Sequence, residues 1–140
     1  MKVLVTGSKG YIGSVLMPEL EVNGYNPTGL DIGYYSECLL YDINENYDFI
    51  NKDIRDVSKE DLSGIDAIIH LAALSNDPLG EFKPELTEQI NFNATIQLAT
   101  LAKKVGVSRF IYVSSQSMYG VAETDIELDE DESRKNPITA

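Results

Sequence analysis

The segment Gly7-Ser8-Lys9-Gly10-Tyr11-Ile12-Gly13 sets three glycines at a G-x-x-G-x-x-G spacing between two stretches of different hydrophobic period. Before it, Val3-Leu4-Val5 is a continuous apolar run closed by Thr6-Gly7, the pattern of a strand buried on both faces. After it, Ile12, Val15, Leu16 and Leu20 recur at helical spacing and Asn23-Gly24 supplies a stop, so residues 11–23 read as a helix. Pro18 removes the bond to the Ser14 carbonyl, and a bend is expected there. A strand that turns through glycines straight into a helix brings bare backbone close to a ligand and aims the unpaired N–H groups of the helix start at an anion. Gly7, Gly10 and Gly13 are thus expected to cradle a dinucleotide pyrophosphate, with a merely structural turn as the alternative.

The remaining chain alternates strands with helices. Strands are expected over residues 28–32, 47–52, 66–71 and 110–113, a short helix over 56–62 and a long one over 84–105. The long helix carries Leu86, Ile90, Ala94, Leu98, Leu101, Ala102 and Val105 on one stripe and stops at Gly106. Residues 33–46 show no clear period and read as a loop. Such alternation implies right-handed crossovers and parallel pairing: an α/β, doubly wound, Rossmann-like sheet of order 3-2-1-4-5, binding its ligand where the winding reverses.

Asp31 ends the second strand about 20 residues past the glycines, where an acid accepts hydrogen bonds from the adenosine ribose hydroxyls. A carboxylate there repels a 2′-phosphate, and residues 10–51 contain no Lys or Arg to neutralise one, so NAD is favoured over NADP. With 23 acids against 11 bases the net charge is −12, which argues against nucleic acid as a partner. Seven of those acids lie between Glu123 and Glu132, and residues 121–140 read as a solvated acidic loop. Cys38 stands alone, so no internal disulfide forms; it reads as a half-buried small apolar residue in a reducing compartment. No segment approaches the roughly 18 apolar residues of a membrane span, and a cytoplasmic location is expected.

Four further segments complete a pattern. Asp53-Ile54-Arg55-Asp56 follows the third strand, His70-Leu71-Ala72-Ala73 ends the fourth, Asn91 precedes Ala94-Thr95 in the long helix, and Val113-Ser114-Ser115-Gln116 ends the fifth strand. With the opening Met1-Lys2-Val3-Leu4-Val5-Thr6-Gly7 and Gly10-Tyr11-Ile12-Gly13, the whole of residues 1–140 resembles the NAD-dependent epimerase/dehydratase group of the extended short-chain dehydrogenase/reductases, enzymes of nucleotide sugars. The resemblance implies that Asp53, with Ile54 beside it, accepts from the adenine amino group, and that the backbone of Leu71, Ala72 and Ala73 passes beside the cofactor's phosphates and ribose. It places Ser75 in a substrate-side loop, Asn91 as a tie between the long helix and the sheet, and Ser114 beside Ser115. Ser115 takes the catalytic Ser/Thr position, bonding the sugar oxygen that is oxidised. His70, the only histidine, reads as a structural residue rather than a base, and it has too few companions to build a metal site.

Two departures narrow the activity. The family's 4,6-dehydratases carry an Asp-Glu pair in the two positions after the catalytic Ser/Thr; here stand Gln116 and Ser117, which favours epimerisation or simple oxidation/reduction. The family's Tyr-x-x-x-Lys base also occurs nowhere in these residues, and by the family spacing it falls immediately after Ala140. The resemblance therefore implies the NAD-binding portion of an enzyme, incomplete before its last strands and substrate lobe, with a silent nucleotide- or partner-binding module as the alternative. An under-covered fifth strand and an unpartnered long helix lead to an expectation of self-association, as a dimer.

Overall fold

A computed structural model describes residues 1–38, 46–75, 77–120, 129 and 131. Five strands, β1 (Lys2–Thr6), β2 (Asn26–Asp31), β3 (Asp48–Asn51), β4 (Ala67–His70) and β5 (Arg109–Tyr112), form one sheet in the order β3-β2-β1-β4-β5, and every pair is parallel. The order reverses between β2 and β4 on either side of β1, so the carboxyl ends of these three strands frame the crevice expected from the sequence. β2 begins two residues earlier than its apolar run suggested and contains Pro27. Proline is tolerated because β3 pairs with β2 only from Thr28 onward, so no β3 carbonyl lacks a donor at Pro27.

The central strand β1 is covered on both faces, whereas β5 is largely exposed, and β1 shows how the side chains are divided. Leu4 points into a cluster with Leu30, Ile68, Leu98, Ala102, Ile54 and Leu62, whereas Val3 and Val5 pack with Met17 and Ala67 on the other face. Met17 belongs to α1 (Tyr11–Val22), and Leu98 and Ala102 belong to α4 (Thr95–Val105). Gly106, with φ +85°, ends α4 in the left-handed conformation that its sequence position implied.

Two expected helices differ. Residues 56–62 form no helix: a 3-10 turn spans Ile54–Asp56, and Val57 then returns to extended backbone. Asp61 is drawn back instead, accepting from the Ser58 amide at 2.7 Å and from Lys52 Nζ at 2.6 Å, which closes a compact turn. The run from 84 to 105 is helical throughout but not uniformly α: α3 (Pro84–Thr87) passes into a π segment, Glu88–Ala94, and then into α4. A separate helix, α2 (Asp77–Phe82), precedes it, and a 3-10 turn Gln116–Tyr119 follows β5. Cys38, expected half-buried, is exposed. Apart from Asp129 and Asp131, both exposed, the acidic stretch 121–140 lies outside the described residues, as does the loop over residues 39–45.

Candidate functional site

The glycine spacing has a steric cause at each position. Gly7 adopts φ +73°, and a Cβ there would stand 2.8 Å from the Ala72 amide nitrogen, so β1 and β4 converge at this turn too closely for any side chain. Gly13 is buried in the first turn of α1; a Cβ would press on the Gly7 carbonyl oxygen and lie 2.7 Å from Ser8 Cα. Gly10, the residue before the helix, donates to the Gly7 carbonyl at 3.1 Å and carries no capping side chain, and the first turn contains no acid. The N–H groups at the start of α1 are thereby left to a ligand, beside exposed Tyr11 and half-exposed Ile12. A glycine turn packed backbone against backbone, leading into an uncapped twelve-residue helix with no acid in its first turn, fits a dinucleotide pyrophosphate.

Asp31 stands at the end of β2 beside this cradle. Its Oδ2 accepts from the Lys9 amide at 3.0 Å and its Oδ1 from the Gly33 amide at 2.7 Å, so the carboxylate fixes the glycine loop and the turn after β2 together. Each carboxylate oxygen retains a lone pair for a ribose hydroxyl. Ser8 was not singled out from sequence, yet it is buried beneath the loop, with Oγ 2.7 Å from where a Gly29 Cβ would be. That contact explains a glycine in the middle of β2.

One strand further out, Asp53 follows β3. It caps the 3-10 turn by accepting the Arg55 amide at 2.9 Å and is gripped by the Arg55 guanidinium, Nε to Oδ1 at 3.0 Å and Nη2 to Oδ2 at 2.7 Å. The hydrogen bonds from Arg55 hold the Asp53 carboxyl below its ordinary value, so it is an acceptor only at neutral pH. The Ile54 side chain is buried in the core, which leaves its backbone as the part able to face a ligand.

The end of β4 is organised by His70. Thr6 Oγ1 meets His70 Nδ1 at 2.6 Å, and His70 Nε2 meets Thr95 Oγ1 at 2.8 Å. Thr95 spends its proton on the Asn91 carbonyl at 2.8 Å, so Nε2 must donate to it, Nδ1 must accept, and the Thr6 hydroxyl is the donor. Thr6 Oγ1 in turn receives the Ala72 amide at 3.3 Å. Asn91 completes the chain: its Oδ1 accepts from the Leu74 amide at 2.8 Å and its Nδ2 donates to the Leu74 carbonyl at 2.9 Å. Asn91 lies within the π segment, and Thr95, which bonds back to its carbonyl, stands just past the segment's end. Asn91 thus ties the helix to the loop after β4, and the path of Leu71, Ala72 and Ala73 beside the glycine turn is set by hydrogen bonds at both ends. Burial depresses His70 to about 4, and its ring is neutral. Thr6 and Thr95 carry this network, and only their places beside recognised motifs hinted at it.

Ser75 is exposed in the loop beyond Leu74. Ser114 and Ser115 lie exposed past the end of β5, on the same edge of the sheet as the cradle. Ser115 Oγ caps the following 3-10 turn through the Ser117 amide at 3.2 Å and pairs with Ser117 Oγ at 2.8 Å. Among the described residues no His, Cys, Asp and Glu cluster could hold a metal ion, and no helix is long and apolar enough to cross a membrane.

A parallel sheet with a glycine cradle at its reversal and acids at the two neighbouring strand ends defines a dinucleotide-binding Rossmann-like unit. The sequence profile of the NAD dependent epimerase/dehydratase family matches residues 3–140, and the chain belongs to that family, whose cofactor is NAD. It is 32% identical over 130 residues to a UDP-glucose 4-epimerase of Mycolicibacterium smegmatis, covering 86% of this chain and 41% of that protein. Its fold superposes with a TM-score of 0.87, at 25% identity, on TunA, an NAD-dependent NDP-hexosamine 5,6-dehydratase, over 99% of this chain and 44% of that one. The UDP-glucose 4-epimerase of Thermotoga maritima, solved with UDP-glucose, gives 0.83 at 28% identity, over 99% of this chain and 46% of that one. The chain therefore spans less than half the length of each of these relatives.

Proposed function

We propose that these residues are the NAD-binding portion of a cytoplasmic nucleotide-sugar epimerase or oxidoreductase of the short-chain dehydrogenase/reductase type. The observation that carries the reading is the bare glycine cradle at the start of α1 with Asp31 fixed beside it. When bound, NAD supplies a nicotinamide that takes hydride from a sugar carbon and returns it. The chain's own part is to hold and orient. The amides at the start of α1 take the pyrophosphate, Asp31 the adenosine ribose, Asp53 the adenine amine, and the 71–75 loop, tied by Asn91, supports the rest of the cofactor. The exposed Ser115 hydroxyl, at the end of β5, hydrogen-bonds the reacting sugar oxygen. With Gln116 and Ser117 beyond it, this edge offers no carboxylate pair to eliminate water, which supports epimerisation or redox over dehydration. Since Tyr-x-x-x-Lys does not occur in these residues, the 140-residue chain is expected to bind NAD without turning over a nucleotide sugar.

Calorimetric titration of wild type and Asp31→Asn with both cofactors tests the reading. Wild type should prefer NAD, and the substitution, by removing the charge that faces a 2′-phosphate, should shift the NADP/NAD affinity ratio by at least about tenfold. Tighter binding of NADP by wild type would contradict it. The exposed Phe92 and Ile96 on the long helical run and Ile111, Tyr112 and Val113 at β5 support self-association as a dimer. Light scattering at high concentration is expected to show it, and a clean monomer counts against it.

A further inference from the structure

We propose that Arg55 is a positioning residue for base selectivity: it locks the Asp53 carboxylate so that a single acceptor position, on Oδ2, is left to meet one N–H of the adenine amino group. The inference rests on the reading that Asp53 faces the adenine, and it follows from counting. An ionised carboxylate offers about four lone-pair positions. Asp53 Oδ1 spends both of its own on Arg55, one on the amide at 2.9 Å and one on Nε at 3.0 Å, and Oδ2 spends one on Nη2 at 2.7 Å. What remains is one lone pair on Oδ2, in a direction set by the two-pronged guanidinium and not by free rotation of the carboxylate. Arg55 is braced in turn from the helix side, where Nη1 donates to Gln89 Oε1 at 3.4 Å. Gln89 lies in the π segment, so the carboxylate that faces the base is referenced to the same helical run that holds the loop after β4.

The chemistry predicts a discrimination. Adenine presents an amino donor at its exocyclic position, and hypoxanthine presents a carbonyl oxygen, which an acceptor-only carboxylate held in one orientation repels. A carboxylate free to rotate turns its charge toward solvent and loses the distinction. Arg55 itself touches neither ring in this account; it acts through Asp53.

The test is the affinity of the folded chain for NAD and for nicotinamide hypoxanthine dinucleotide, measured for wild type, Asp53→Asn, Arg55→Gln and Arg55→Lys. Wild type should favour NAD by about tenfold or more, the size of one hydrogen bond to a charged group. Arg55→Gln should bring the ratio to within about threefold of unity, mainly by weakening NAD, as Asp53→Asn does. Arg55→Lys keeps the charge without the fork and should fall between. The Arg55 guanidinium is part-exposed at the surface, so these variants are expected to fold. A full wild-type ratio in Arg55→Gln, or equal weakening of both dinucleotides, overturns the proposal. Wild-type binding of both dinucleotides with no preference overturns it together with the role of Asp53, whereas binding of neither contradicts the NAD reading itself.

Discussion

Gly13→Val is expected to weaken NAD binding by at least about 100-fold and to cost the fold about 3 kcal/mol, a large overpacking penalty because the atoms in the way are backbone. A Cβ at Gly13 would lie 2.7 Å from Ser8 Cα and press on the Gly7 carbonyl, and neither can rotate aside as a side chain would. The start of α1 must then lift away from the loop, and the amides proposed to take the pyrophosphate move with it. Gly24→Ala separates this from a general effect of losing glycine. Gly24 has φ +78° but nothing within 4 Å of its Cβ position. Alanine there should cost about 1 kcal/mol of backbone strain and leave NAD affinity unchanged. Urea unfolding gives the stability of each variant and calorimetry the affinity; equal NAD affinity in Gly13→Val and wild type would remove the cradle from the account.

His70→Ala has the second large effect. The ring is buried at 1% exposure against Phe110 and Tyr112, with both nitrogens bonded. Its removal opens a cavity and strands the Thr6 hydroxyl, and about 4 kcal/mol of destabilisation is expected. The wild type also carries a pH signature. The unfolded chain takes up the imidazole proton near 6.5, whereas the folded chain refuses it down to about 4. The stabilisation is therefore complete above pH 6.5 and is lost as pH falls through that window, about 3 kcal/mol in all at about 1.4 kcal/mol per pH unit. Asp53, held low by Arg55, adds a loss in the same direction but at lower pH. Unfolding free energies measured between pH 4 and 7 should fall with acidity in wild type and much less in a variant without His70. Equal slopes would mean that the folded ring takes up its proton as readily as the unfolded one, contrary to its burial.

The strand order, the glycine turn and the acids at 31 and 53 were legible because each is a local pattern with one physical cause: an apolar run, a position too crowded for Cβ, a carboxylate at a strand end. The helix expected over residues 56–62 failed because polar spacing looks alike in a helix and in a turn, and Asp61 is claimed by Ser58 and Lys52. The π segment left no mark on the apolar stripe, since Ala94, Leu98 and Ala102 still face the core. It lies where Thr95, Asn91 and His70 meet, residues separated by up to 25 positions, and such a meeting is a tertiary fact. The same holds for Arg55 and Asp53: the motif showed both residues, but only the three bonds between them show what one does to the other.

Direct titration of this chain with NAD, followed by calorimetry and by the shift in thermal unfolding, tests the central claim most simply. One-to-one saturable binding that raises the melting temperature with ligand concentration, tighter than NADP and lost in Gly13→Val, is the predicted result. A folded chain that shows no saturable NAD binding, or binds it equally well after Gly13→Val, would contradict it.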